Sequence, residues 1–154
     1  MNCSLYTGYL IIRQKLGSLL LPWGRLIRFS VVGLSGVVAD LGVFYLLHES
    51  LSLALTASAM LSTEVAIINN FLWNDIWTFG DLSSQQKLIS QRFQRFFKFN
   101  LICFFGLIFN SLIVNFLFYR FGVNEYIAKL VAITCVTFWN FWLNLKINWQ
   151  IDEV

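Results

Sequence analysis

Hydrophobic positions in this chain run together in four blocks, near residues 29–47, 53–73, 99–119 and 126–145, instead of recurring at amphipathic spacing. Each block is about 20 residues long, the length an α-helix needs to cross a bilayer core of about 30 Å. The pattern predicts an all-α integral membrane protein with four transmembrane helices. The third block, FNLICFFGLIFNSLIVNFLFY, carries no formal charge; the others carry one each, Asp40, Glu64 and Lys129. An ionisable group at membrane depth is costly enough to need a reason. Blocks two and four end alike, in NFLWN at 70–74 and NFWLN at 140–144.

Outside the blocks, the stretch QQKLISQRFQRFFKF places Leu88, Arg92, Arg95 and Phe99 at helical intervals. It predicts a helix lying along the inner surface before the third span. Residues 1–24 read as an N-terminal interfacial segment, a short helix ending near Pro22 and Trp23. Its charges, Arg13 and Lys15, follow the first apolar patch, the reverse of a signal peptide.

Composition supports the membrane assignment. The chain of 154 residues is 58% hydrophobic, 18% aromatic and only 12% charged, against about 25% charged in an average globular protein. So few basic residues, confined to the edges of apolar blocks, also exclude a nucleic-acid partner. The three cysteines form no framework, since Cys103 and Cys135 fall inside blocks and Cys3 stands alone.

The charges sort by side. Arg13, Lys15, Arg25 and Arg28 precede block one, Lys87, Arg92, Arg95 and Lys98 precede block three, and Lys146 follows block four. The opposite ends hold only Arg120 and Lys129. The positive-inside rule then puts the N-terminus, the middle loop and the C-terminus in the cytoplasm. Trp73, Trp77, Trp142 and Trp149 fit an aromatic belt at that interface.

Laying the second half on the first with an offset of 70 and no gaps aligns the polar positions. Arg25 falls on Arg95, Arg28 on Lys98, Phe29 on Phe99, Gly36 on Gly106 and Asp40 on Asn110; Leu47, Asn70, Phe71 and Asn74 fall on identical residues. Each half would cross the membrane twice, which makes residues 25–79 and 95–149 parallel repeats about a pseudo-twofold axis along the membrane normal.

Depth follows from the helix rise. Asp40 lies about 18 Å beyond Arg28, Asn110 the same distance beyond Lys98, and Glu64 about 15 Å before Asn74. Asp40, Glu64 and Asn110 therefore form a candidate midmembrane polar site. If Asp40 and Glu64 face each other, one would hold a proton at neutral pH. Gly33, Gly36 and Gly106 suit close helix packing. At the basic rim, Arg25, Arg28, Arg95, Lys98 and Lys146 with Asn70, Asn74, Asn140 and Asn144 form a candidate phosphate or headgroup site. The same amides equally suit helix contacts, and topology alone also calls for the charges. No metal cluster, phosphate loop or nucleophile with a base is present, which argues against an enzyme and implies no cofactor.

The stretches RFSVVGLSGVVADLGVFYLL and VAIINNFLWNDIWTF resemble the GtrA-like family over about residues 25–149. Phe29, Val32, Gly33, Gly36 and Asp40 match its F-x-x-V-G-x-x-G-x-x-x-D pattern. Asn70, Phe71, Asn74, Trp77, Thr78 and Phe79 match its N-F-x-x-N-R-x-W-T-F pattern, with Asp75 in place of the arginine. The resemblance implies a flippase-type translocator of polyprenyl-phosphate-linked sugars for cell-surface polysaccharide synthesis. It implies a location in the cytoplasmic (inner) membrane and a membrane glycosyltransferase as partner. The departure at Asp75 passes any phosphate contact to Lys146 or Arg28. Two alternatives stand beside transport of the lipid: a membrane anchor or regulatory subunit of the glycosyltransferase, and a proton-coupled small-molecule exporter that uses Asp40. A bundle of four spans is small for a translocation path, so a homo-oligomer is expected.

Overall fold

The computed structural model describes residues 3–150, with side chains from Pro22 onward, and every regular element among them is helical. Helix α1 (Cys3–Tyr45) ends in a π-helical turn, Leu46–Ser50. Helix α2 (Leu55–Trp73) ends in a second π-helical turn, Asn74–Thr78, followed by the short α3 (Gly80–Ser83). Helix α4 (Ile89–Phe121) leads through a tight turn to α5 (Glu125–Leu143), which ends in a third π-helical turn, Asn144–Asn148.

Among the described residues, three stretches are long and apolar enough to cross a membrane: Pro22–Ser50, Ile89–Phe121 and Glu125–Asn148. The 19 residues of α2 span about 28 Å, but Ser58, Ser62, Thr63 and Glu64 dilute its apolar content. Two helices differ from their expected bounds. The surface helix expected before the third block is continuous with it, because nothing between Ile89 and Phe121 interrupts the ladder. The end expected near Pro22 does not occur either, and α1 runs through the proline. A proline removes one backbone hydrogen bond, and good helix formers on both sides carry the helix past it. The interfacial placement expected for residues 1–24 rests on side chains outside the described residues.

The α4–α5 turn is built from residues suited to it. Gly122, in the left-handed region at φ 62°, ends α4, and the Gly122 and Val123 amides donate to Phe118 and Leu117 carbonyls at 3.1 and 3.2 Å. Asn124 then caps α5, its Oδ1 accepting from the Tyr126 amide at 3.0 Å.

α2 lies along α1, and α5 along α4. The buried face of α2 carries Ser58, Ser62 and Ala66 at intervals of one turn, and that of α5 carries Ala128 and Ala132. Small residues let helix backbones approach where lipid leaves no hydrophobic gain from association. Closest of all are two glycine–asparagine contacts 70 residues apart. A Cβ at Gly36 would overlap the Asn70 amide, and one at Gly106 would come within 2.6 Å of Asn140 Oδ1. Gly33 is different, because a Cβ there would meet nothing within 4 Å.

At the basic end the two pairs share one aromatic core. Phe29 of α1, Phe71 of α2, Phe99 of α4 and Phe141 of α5 surround Phe79 and Trp149, which stack at 4.4 Å between ring centres. Phe79 and Trp149 reach this place because the π-helical turns carry the chain inward, with their amides donating to Asn74 and Asn144 carbonyls five residues back at 2.9 Å. Trp149 is therefore buried, not part of the expected interfacial belt; Trp73, Trp77 and Trp142 are exposed. The asparagine contacts predict that Gly36→Leu and Gly106→Leu each lower stability by about 1–3 kcal/mol through overpacking, while Gly33→Ala leaves it unchanged. Thermal unfolding of the detergent-solubilised variants measures the difference.

Candidate functional site

Beyond the aromatic core the two helix pairs part around a cleft of about 510 Å³. Its walls are mostly apolar, with polar groups from both pairs: Asp40, Thr63 and Asn70 on one side, Asn100, Asn110 and Asn140 on the other. Gly33 leaves open space in it by its lack of a side chain, while Gly36 and Gly106 admit the Asn70 and Asn140 amides. Asp40 accepts a long hydrogen bond from Thr63 Oγ1 at 3.4 Å, and Asn110 Oδ1 accepts from Lys129 Nζ at 2.8 Å. The cleft thus brings Asp40 and Asn110 together with Asn70 and Asn140. Glu64 is exposed and outside the cleft; the neighbour that reaches Asp40 from α2 is Thr63, one position earlier. Cys103, with a free thiol, also lines the cleft. Such a surface offers carboxylate and amide acceptors, amide donors and apolar area, the mixture that binds a sugar.

The rim residues divide by what they already hold. Arg28 is exposed, its guanidinium 5.9 Å from the Trp77 ring centre and in reach of the Trp77 carbonyl at 3.4 Å. Lys146 lies 5.3 Å from the Trp142 ring centre, and Lys98 is exposed. Arg25 is paired with Asp81. Asn74 and Asn144 are buried, and Asn144 Nδ2 donates to the Asn140 carbonyl at 2.8 Å.

Arg95 is taken up entirely. Its guanidinium, 3% exposed as a residue, donates Nε to Asp75 Oδ1 at 2.9 Å and Nη1 to Gln86 Oε1 at 2.9 Å. Arg92 Nε holds the other oxygen of Asp75 at 2.9 Å. Ser83 Oγ donates to Oδ1 at 2.7 Å and Trp149 Nε1 to the same oxygen at 3.2 Å. Asn148 closes the group from below, Nδ2 donating to the Arg95 carbonyl and to Asn144 Oδ1, each at 3.0 Å. Burial alone would raise the Asp75 carboxyl. Hydrogen bonds from Arg95, Ser83 and Trp149, with the charge of Arg95, outweigh burial and hold it below the usual carboxylate range. Sequence reading noticed Asp75 only as a lost arginine. The signal that reveals it is complementarity: an acid on the side of the chain where Arg92 and Arg95 also fall.

These features define a class, a helical membrane protein whose two helix pairs clasp a polar cleft above a basic, aromatic-plugged rim. The chain belongs to the GtrA/DPMS transmembrane domain family, which matches residues 28–149. It is 32% identical over 125 residues to a dolichol-phosphate mannosyltransferase of Pyrococcus furiosus, covering 81% of this chain and 34% of that protein. It is 30% identical over 105 residues to the uncharacterized membrane protein YngA of Bacillus subtilis, covering 68% of this chain and 66% of that one. The chain spans about a third of the mannosyltransferase's length.

Asp75→Ala strands the Arg95 guanidinium without its counter-charge and should lower stability by about 3–5 kcal/mol. The pH dependence has a definite sign. Because folding lowers the Asp75 pKa, its stabilisation is complete above the ordinary carboxylate value, about 3.9, and is lost as pH falls through the lower folded value. Thermal unfolding against pH should show an acid loss in the parent chain that is reduced in Asp75→Asn; equal acid profiles would contradict this.

Proposed function

We propose that this chain is a flippase-type translocator of polyprenyl-phosphate-linked sugars in the cytoplasmic (inner) membrane. In this reading α2 is a fourth crossing, residues 25–79 and 95–149 are parallel repeats, and both termini face the cytoplasm. The observation that carries it is the cleft, where Asp40, Asn110 and four further polar side chains meet between the helix pairs, with Asp40 and Asn110 at the mid-membrane depth expected from the helix rise. Polar groups at that depth are expensive unless a ligand or a path uses them. Membership of a family that includes a dolichol-phosphate mannosyltransferase supports a lipid-phosphate sugar as that ligand.

The chemistry divides among three parts of the molecule. Exposed cations at the rim, Arg28 foremost, draw the phosphate. Sugar hydroxyls donate to Asp40 and exchange hydrogen bonds with the amides of Asn70, Asn110 and Asn140, which replaces the water the sugar gives up. The polyprenyl tail remains in lipid outside the helix pairs. The aromatic core closes the cleft toward the rim, so passage requires the two pairs to part there. A homo-oligomer would enlarge the path beyond what one small bundle encloses.

A second reading is supported by the length comparison. A relative in which this kind of domain is one part of a mannosyltransferase fits a non-transporting membrane subunit that holds a glycosyltransferase at the bilayer. Reconstitution in vesicles separates the two. Translocation predicts that Asp40→Ala and Arg28→Ala each slow the flipping of polyprenyl-phosphate mannose by about tenfold or more, the effect of losing 1.4 kcal/mol. Parental rates in both variants would overturn it, and no flipping together with co-purification of a glycosyltransferase would favour the anchoring role.

A further inference from the structure

Positions 70 apart at the basic rim surround two hollows of the same build and unequal content. The first, about 360 Å³, is bounded by Gly24, Arg25, Arg28, Trp77, Gly80 and Asp81. The second, about 180 Å³, is bounded in part by Gln94, Arg95, Lys98, Ile147 and Gln150. Five walls correspond one to one: Gly24 with Gln94, Arg25 with Arg95, Arg28 with Lys98, Trp77 with Ile147 and Gly80 with Gln150. At the two glycine positions a Cβ would meet nothing within 4 Å. No packing demand keeps a side chain out of the first hollow, whereas glutamines occupy the matching places in the second.

Of the two matched pairs of cations, Arg25 and Arg95 differ in the same direction, while Arg28 and Lys98 are both exposed and differ in being a guanidinium and an ammonium. Arg95 is buried, with Nε bound to Asp75 and Nη1 to Gln86. Arg25 is held by Asp81, a carboxylate whose side chain is 60% exposed and therefore weakly bound. Arg28 has no carboxylate partner among the described residues, and its guanidinium, beside the Trp77 ring, makes one long hydrogen bond, Nη1 to the Trp77 carbonyl at 3.4 Å, which leaves in-plane N–H groups for a ligand. A planar guanidinium with free edge donors suits two oxygens of one phosphate. Arg25, Arg28 and Asp81 together carry a single net positive charge, which complements the one negative charge of a phosphodiester.

We propose that phosphate capture is confined to the hollow around Arg28, one anion per chain, and that the matching hollow around Arg95 serves only to join the helix pairs. The inference rests on the reading of the rim as a phosphate site and adds which half performs it. It is tested by binding, without transport, on the full-length detergent-solubilised chain, with polyprenyl-phosphate mannose as probe and native mass spectrometry counting bound lipid.

The expected result is one lipid per chain. Gly24→Gln and Gly80→Gln, which fill the first hollow without changing charge, should each weaken binding by about tenfold or more, a change of at least 1.4 kcal/mol. Gln94→Gly and Gln150→Gly should leave it unchanged. Two lipids per chain, or equal weakening from both pairs of variants, would overturn the proposal, as would equal competition by unphosphorylated polyprenol. Inorganic phosphate displacing the probe supports a general phosphate site, and failure to displace it supports a site for the lipid headgroup. A chain that binds through the first hollow yet moves no lipid keeps this inference and ends the translocator reading.

Discussion

Asp75 is held by hydrogen bonds and ion pairs from three separate stretches of chain. Ser83 approaches from just past the second π-helical turn, Arg92 and Arg95 from α4, and Trp149 from beyond α5. In lipid, helices gain little from burying apolar surface against each other, because the surroundings are as apolar as the partner. A buried ion pair with all its oxygens used supplies a directional tie where area burial cannot. Its position explains why the two helix pairs meet at the basic end, where the aromatic side chains also gather, and separate farther along. Packing within each pair has a different basis: small residues on α2 and α5, and asparagine amides pressed on Gly36 and Gly106.

That division of labour keeps the tie between the pairs out of the cleft. The polar groups of the cleft make their contacts within a pair, Asp40 with Thr63, Asn110 with Lys129, and the Asn70 and Asn140 amides against Gly36 and Gly106. The rim beneath is uneven for the same reason. Arg95 is consumed by the tie, while its counterpart Arg25 has only the exposed Asp81 as partner and Arg28 remains exposed beside Trp77.

Much of the fold is legible in the chain because membrane helices announce themselves by uninterrupted apolar runs. The ends of α2 and α5 fall within two residues of the expected ones. The amides NFLWN and NFWLN are also visible in advance, but not what they do, since a bond to the fifth residue on leaves no periodic trace. The turns that follow bring Phe79 and Trp149 into the core, so a tryptophan that reads as interfacial is buried. Glu64 shows the limit of depth arguments. Rise along a helix gives the level of a side chain, but the facing is set by which neighbours pack, and Thr63 takes the inward position. Asp75 was hidden because its partners lie 20 and 74 residues away, beyond the reach of local pattern.

The spacing of those partners has a bearing on biogenesis. As the chain emerges from a ribosome, Arg95 follows Asp75 after only 20 residues, while Trp149 arrives 74 residues after it. The guanidinium is therefore synthesised when α1 and α2 are complete and α4 has barely begun, and the indole only after α5 is finished. The last aromatic residue of the core thus reaches the junction only once every helix it joins has been made.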